Sequence, residues 1–502
     1  MKKILFFTDG WFLNFGIAKH LQDKNEYELF SIINVEEKAK KFFQQQKIVL
    51  YKKIWFFQDS ILTELKKPDV NYLRKVESKY NINLWELVYS DRDFLSYNDK
   101  YKYNDNEILS LVEKECKFFE RVLDYVKPDY LSIFLTTVHY QELLRIICKA
   151  RGVKILMLGP ARFGNRSMIS QEGVMLDEKY EKYNDACSKT FSELREYIIK
   201  FDATKEGKKY TKEAFEEKGW ERYTAIIRFF LTKHSNNYPN LYYNFGRTRF
   251  RILKNKIINL LRKKHRYYFI NKHFEKNIVN LTNFIYFPLQ MEPERIILMN
   301  SRFFTNQLAI ITNISKSLPV DYKLLVKEHP VMKVVGWRNT AYYKEIMNLP
   351  NVKLIHPSAS NVEIIKNSSM VITIAGTTGL EASFYGKPVI TFTDQFYSCL
   401  PSVHKIQKIE DLPYAIRTHL KTEVDANDIN NFIRYIENHT FEFDYMGITL
   451  DFTYRFGFKG PIMDAELPIK EIELFLNDYE SEFEILTNEH IKKIKKFETM
   501  EN

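Results

Sequence analysis

From Tyr322 to Phe392 the chain repeats one unit: a short apolar run, a polar turn, and a helical stretch. The runs Tyr322–Lys327, Val352–Ile355, Met370–Ile374 and Pro388–Phe392 alternate with helical segments that begin after Val335, at Asn361 and at Thr378. Runs this short, apolar on both faces and rich in Val and Ile, are strands of a parallel sheet buried between helices. Parallel neighbours need crossover helices, and those crossovers are right-handed. Little freedom of architecture remains.

The same rhythm marks the first third of the chain. Ile4–Phe7 and Glu28–Val35 read as strands, 106–126 as a long helix, Tyr130–Leu135 as a strand, His139–Ala150 as a helix and Val153–Leu158 as a strand. Between about 176 and 282 the rhythm is lost in charged, aromatic, helix-like sequence. At 502 residues the chain also exceeds one ordinary core. The expected class is α/β, with two doubly wound Rossmann-type domains and a helical insertion or connection. The expected boundaries are 1–175, a basic helical connecting region at 176–282, a second α/β domain at 283–440, and a helical tail at 441–502 that packs back on the first domain.

Composition narrows the setting. A hydrophobic content of 45% with 15% aromatic residues excludes a disordered chain. Cys116, Cys148, Cys187 and Cys399 show no zinc-ligand or redox spacing, which fits a reducing cytoplasm. The start, Met1 to Phe7, imitates a signal peptide, but Asp9 and Asn14 interrupt it and no small-residue cleavage site follows. No apolar run approaches the roughly 20 residues that span a bilayer.

The formal charge of +11 is uneven. Gly246 to Phe274 contains no acidic residue, while Arg247, Arg249, Arg251, Lys254, Lys256, Arg262, Lys263, Lys264, Arg266 and Lys272 accumulate. Phe250, Leu253, Ile257, Leu260 and Leu261 fall among them at helical spacing. Residues 247–272 thus read as a basic amphipathic helix for an anionic membrane surface, or as a solvated helix with one stripe on its own protein. No recognised motif or stacking platform supports nucleic acid as a partner.

In a parallel sheet the carboxyl ends of the strands share one edge, where ligands bind. One strand ends in Lys327-Glu328-His329-Pro330, and another is followed by Gly376-Thr377-Thr378-Gly379 with Glu381 one helical turn on. Cations, hydroxyls and a helix start suit a phosphate, and a carboxylate beside them suits sugar hydroxyls. Lys327, Glu328, Gly376, Thr377, Thr378 and Glu381 are therefore candidate donor-binding residues. His329, kept extended by Pro330, is the candidate that stabilises charge on a departing nucleotide. Each has a plainer alternative: His329 as a turn cap, a threonine as a helix cap, Glu381 as a partner of the helix dipole. In the first domain Asp9 is the candidate general base or an ordinary turn residue. Asp91, Arg92, His139 and Arg162 are candidate acceptor-binding residues, with a structural ion pair as the alternative for Asp91 and Arg92. No metal-ligand pattern is present.

The segments Tyr286-Phe287-Pro288-Leu289-Gln290 through Glu292-Pro293, Leu325 to Pro330, Asn351 to Ile355, Ile374 to Ala382 and Gly386 to Ile390 resemble bacterial capsule polysaccharide biosynthesis proteins, a group that includes the capsular Kdo transferases. His329-Pro330 with the downstream threonine loop is also similar to GT-B sialyltransferases that use CMP-activated sugars. The resemblance covers about residues 284 to 413, with weaker extensions at Asn81 to Glu86 and Lys127 to Asp129. It implies a GT-B-like fold and metal-independent transfer. It also implies a nucleotide-sugar substrate, with a CMP-linked donor as one option, and no cofactor. His329 would engage the donor phosphate and Thr377 with Thr378 would form the phosphate loop. The acidic base motif of the sialyltransferases is only echoed in Thr8-Asp9-Gly10. The expected activity is transfer of a sugar to a glycan- or lipid-linked acceptor, in the cytoplasm at the inner face of the plasma membrane. The alternatives are a nucleotide-sugar 2-epimerase, a polyol-phosphate transferase and a non-catalytic capsule assembly component.

Overall fold

In the computed structural model all residues are described except 62–63, 96–100, 184–188, 201–248, 277–280, 293, 457–465 and 502. Cys187, Arg247 and Pro293 lie outside the described residues. Among the described residues thirteen strands, β1 to β13 in chain order, build two sheets. They are β1 Lys2–Thr8, β2 Tyr27–Ile33, β3 Lys53–Phe56, β4 Tyr130–Phe134, β5 Lys154–Pro160, β6 Arg166–Ser170, β7 Phe284–Pro288, β8 Lys323–Lys327, β9 Val352–Ile355, β10 Met370–Thr373, β11 Val389–Thr391, β12 Val403–Lys405 and β13 Phe441–Glu442.

The first sheet has the order β13-β6-β5-β4-β1-β2-β3. Strands β1 to β5 pair in parallel, and β6 pairs antiparallel with both β5 and β13. Strand β1 is apolar on both sides because both faces are covered. Leu5 and Phe7 join a core with Phe118 and Phe119 of helix Asp105–Val126, while Ile4 and Phe6 join one with Phe475 and Phe483 near the C-terminus. The long helix starts where the sequence says it should. Asn104 caps it and Glu107 reaches back to the Asn104 N–H in a capping box, and Lys127 ends it in the left-handed region before Pro128.

The second sheet, β12-β11-β10-β7-β8-β9, is parallel throughout. Read from β9, its order is that of the doubly wound nucleotide-binding fold, with the reversal between β7 and β10. In the first sheet the same reversal falls between β1 and β4. The expected α/β class with two doubly wound sheets is what the chain forms. Ligand crevices of such sheets lie at the reversal, which singles out the carboxyl ends of β7 and β10 in one and β1 and β4 in the other.

The chain divides into two compact units, whose described residues fall within 1–178, 249 and 439–502 for one and within 179–200 and 250–438 for the other. The connecting region expected at 176–282 is therefore not a separate body among the described residues, since 179–183, 189–200 and 250–276 belong to the unit of the second sheet. Asn430 Nδ2 donates to the Lys189 carbonyl at 3.0 Å, and Ile270 and Phe274 enter the core of the second sheet. The C-terminal helices belong to the first unit, where Lys493 reaches Asp177 at 2.9 Å and Lys496 reaches Glu178 at 2.7 Å.

Candidate active site

Strand β7 lies between β8 and β10, so the tips that follow β8 and β10 are two strand spacings apart, about 10 Å. Gln290, just past β7, joins them. Its side-chain oxygen, turned to satisfy its neighbours, accepts from the N–H groups of Ala375 at 2.8 Å and Gly376 at 2.7 Å. Its backbone N–H donates to Gln307 Oε1 at 2.8 Å, and its carbonyl accepts from Arg338 Nη2. Arg338 Nε in turn donates to Glu328 Oε2 at 2.9 Å, Nη1 is paired with Glu292 at 2.6 Å, and Glu328 Oε1 accepts from the His329 N–H at 2.7 Å. A continuous polar bar thus runs beneath the strand tips, from His329 to Gly376.

That bar corrects two expectations. Glu328 is fully buried and also accepts from Tyr343 Oη at 2.6 Å, so it positions the loop rather than facing a donor. The Gly376 N–H is engaged by Gln290 and lies 3.1 Å from Thr373 Oγ1. What Gly376 supplies is the missing side chain, because a Cβ there would stand 2.8 Å from Thr373 Oγ1. Gly379 is needed for the same reason, since its Cβ would meet Tyr397 Oη at 2.4 Å. That hydroxyl donates to the Gly376 carbonyl at 2.5 Å, pinning the loop from the other side.

The other donor-site candidates stand differently. Lys327 is buried, with Nζ 2.5 Å from Asn361 Oδ1, which also accepts from Tyr286 Oη at 3.1 Å. Thr377 precedes helix Thr378–Phe384, is exposed, and makes no side-chain cap hydrogen bond. The plainer role of helix cap is therefore not what this hydroxyl does. Thr378 and Glu381 are half-buried beside it, and the Glu381 carboxylate is close enough to help raise the Tyr286 phenol, whose main cause is burial.

His329 is half-buried. Burial, followed by the charges of Arg338 and Lys327, pulls its imidazole down to about 4, so the ring is neutral at physiological pH. Nδ1 faces the Val331 N–H at 3.3 Å and can only accept. The proton therefore sits on Nε2, which makes that atom a donor. A neutral donor, a buried cation and two hydroxyls lie along one sheet edge.

In the first unit Asp9 follows β1 and Arg162 follows β5. Burial pushes the Asp9 carboxyl up to about 6, with the Trp11 N–H, 3.1 Å from Oδ1, opposing the shift. Phe12, at φ 62°, holds this loop in the left-handed region while its ring stacks on Phe452 in the core. Arg162 also has positive φ, 56°. Arg92 is exposed. Asp91 and His139 are brought together, but not as an acceptor site. Both are fully buried, with His139 Nδ1 2.6 Å from Asp91 Oδ2 and Nε2 2.9 Å from Glu115 Oε2. Burial opposes the imidazolium, yet Glu115 and Asp91 raise it to about 10. This is an internal charge cluster with no solvent-facing atom, which replaces the acceptor-binding reading of Asp91 and His139.

Gln290, Arg338, Asn361 and Tyr397 received no role from sequence. Gln290 was in the quoted motif, yet its partners Gln307, Arg338, Ala375 and Gly376 lie well beyond it in sequence. Arg338 is folded back under β8 by a turn with Gly336 at φ 111° and Trp337 at φ 64°, a conformation that Trp337 does not advertise.

Comparison with known proteins bears on this region. Residues 188–407 match the family model described as "Capsule polysaccharide biosynthesis protein". Protein FixF of Sinorhizobium fredii (strain NBRC 101917 / NGR234) is 30% identical over 120 residues, 23% of this chain and 27% of that protein. The match thus spans about a quarter of that relative's length. Among solved structures, UDP-GlcNAc 2-epimerase from Methanocaldococcus jannaschii is 12% identical, with 87% of this chain and 100% of that one covered at a TM-score of 0.25. KpsC of Thermosulfurimonas dismutans, a beta Kdo 2,7 transferase, is 13% identical, with 63% and 79% covered at a TM-score of 0.29. The stretch that matches the model of the capsule polysaccharide biosynthesis proteins, residues 188–407, is the one that holds both strand tips and the threonine loop.

Proposed function

We propose that the chain is a glycosyltransferase of surface polysaccharide assembly that grips a nucleotide-sugar phosphate at the tips of β8 and β10. The observation that carries this reading is the neutral His329. Its Nε2–H is a hydrogen-bond donor flanked by Lys327, on the same sheet edge as the Thr377 and Thr378 hydroxyls. In transfer, an acceptor hydroxyl oxygen forms the new bond to the anomeric carbon as the bond from that carbon to the phosphate oxygen breaks. Negative charge collects on the leaving phosphate, where a prearranged donor and cation stabilise it most. The acceptor proton must go to a base, and Asp9, with its carboxyl near 6, has the affinity for that task. A CMP-linked donor, Kdo- or sialic-acid-like, is the leading candidate, with a polysaccharide or glycolipid acceptor.

The test incubates purified protein with CMP-, UDP- and GDP-linked sugars, with and without a lipid-linked glycan acceptor. The expected result is a new glycosidic product that needs the acceptor. Conversion of a donor sugar without any acceptor points instead to an epimerase and rejects the proposal.

A further inference from the structure

Helix Arg249–His273 has two apolar faces, and among the described residues its own protein covers only one. On the inner face Ile252 and Ile270 are 8% and 0% exposed, and Arg266 Nη1 donates to the carbonyls of Gly336 at 3.0 Å and Trp337 at 2.7 Å. Phe269 and Phe274 extend that face onto Tyr343. The helix is therefore anchored at its C-terminal end. On the opposite side Phe250, Ile257, Leu261 and Tyr268 are 84%, 52%, 66% and 73% exposed. These four are separated by seven, four and seven residues, which at 3.6 residues per turn stacks them in one stripe.

Lone exposed apolar residues need no explanation, but four in register along one helix do. Lys254 and Lys264 lie between members of the stripe, and Lys256, Arg262 and Lys272 flank it. No carboxylate interrupts the helix, and none of these five cations has an acidic partner among the described residues. An apolar ridge edged by lysine and arginine, with a tyrosine at one end, matches the boundary between anionic headgroups and acyl chains. A protein partner would have to supply an apolar groove lined with carboxylates. A second copy of the helix would bring cations against cations. No helix among the described residues is long and apolar enough to cross a membrane, so the contact would lie in the interface plane.

We infer that the exposed face of helix Arg249–His273 docks the protein on an anionic lipid bilayer, through Phe250, Ile257, Leu261 and Tyr268 for insertion and the flanking lysines and arginines for charge. The inference rests on this helix alone and does not depend on the activity proposed above.

The full chain is sedimented with phosphatidylcholine vesicles and with vesicles containing phosphatidylglycerol. The wild type is expected to bind the anionic vesicles at least tenfold more tightly than the neutral ones. The variant Phe250→Ser/Ile257→Ser/Leu261→Ser/Tyr268→Ser is expected to lose at least tenfold in that binding with an unchanged Tm, because none of the four side chains is in the core. In a second arm Tyr268→Trp places a fluorophore on the stripe, and brominated phosphatidylglycerol should quench its added emission. Equal binding to both vesicle types, an unchanged affinity in the serine variant, or no added quenching overturns the inference. So does a serine variant that alters only the oligomeric state in solution.

Discussion

Arg338 Nε donates to Glu328 Oε2 across 2.9 Å, and both side chains are buried. The pair fixes the His329 loop to the β7 tip, because Glu328 also holds the His329 N–H and Arg338 also holds the Gln290 carbonyl. A buried charge is tolerated only when it is paired and hydrogen-bonded, and removing one partner leaves the other stranded. Glu328→Gln is therefore expected to cost roughly 3 kcal/mol of stability. A urea unfolding curve measures it, and an unchanged midpoint would place the pair outside the structural frame.

Tyr397 and Gly379 make a second, steric prediction. Gly379→Ala puts a methyl 2.4 Å from a hydroxyl that pins the Gly376 carbonyl. Overpacking of this kind costs about 1–3 kcal/mol, and the displaced loop should weaken nucleotide binding about tenfold. Adding Tyr397→Phe removes the clashing oxygen and should restore part of the stability. A double variant no better than Gly379→Ala would exclude the steric explanation.

The roles proposed for His329 and Asp9 predict how turnover depends on pH. The imidazole, held near 4, is already neutral throughout the physiological range and contributes no limb there. Asp9 must lose its proton to act as a base, so kcat/KM should rise as pH passes through about 6. Asp9→Asn should abolish that limb together with most of the rate. His329→Ala should lower the rate about 100- to 1000-fold with the limb in place. A limb that survives in Asp9→Asn assigns the base elsewhere.

The cluster of His139, Asp91 and Glu115 predicts how stability responds to alkali. Its imidazole is raised from 6.5 to about 10 in the folded protein, so the native state binds a proton more tightly than the unfolded chain. The stabilisation is complete below 6.5 and is lost as pH rises toward 10. His139→Gln should be less stable than the wild type at pH near 6, and the gap should shrink steadily above it. Urea midpoints across that window test this, and a gap independent of pH would mean the imidazole is neutral when folded.

What could be read from sequence was whatever is local. Helix His139–Ala150 and strand Val352–Ile355 begin and end where periodicity and the flanking polar residues put them. Strand β3 went unread because its few residues, Lys53 to Phe56, are mixed in character, and β13 has only two. The two strand tips of the candidate site were legible for the same local reason, since two apolar runs each end in a polar cluster. The roles inside it were not. Glu328 is turned inward by an arginine ten residues on, through a left-handed turn at Trp337. Asp91 and His139 are removed from solvent by Glu115, on a helix distant in sequence from both. Spacing cannot reveal pairings that only the packed sheet and helices create.

The threonine loop is the most direct test of the central claim, because Thr377 is exposed and caps nothing, so its loss should leave the fold intact. Calorimetric titration of CMP, UDP, GDP and CDP into the wild type and into Thr377→Val/Thr378→Val decides it. The account predicts that one nucleotide binds the wild type and binds the variant at least tenfold more weakly, with no change in Tm. Absence of binding by every nucleotide, or equal affinity in the two proteins, would contradict it.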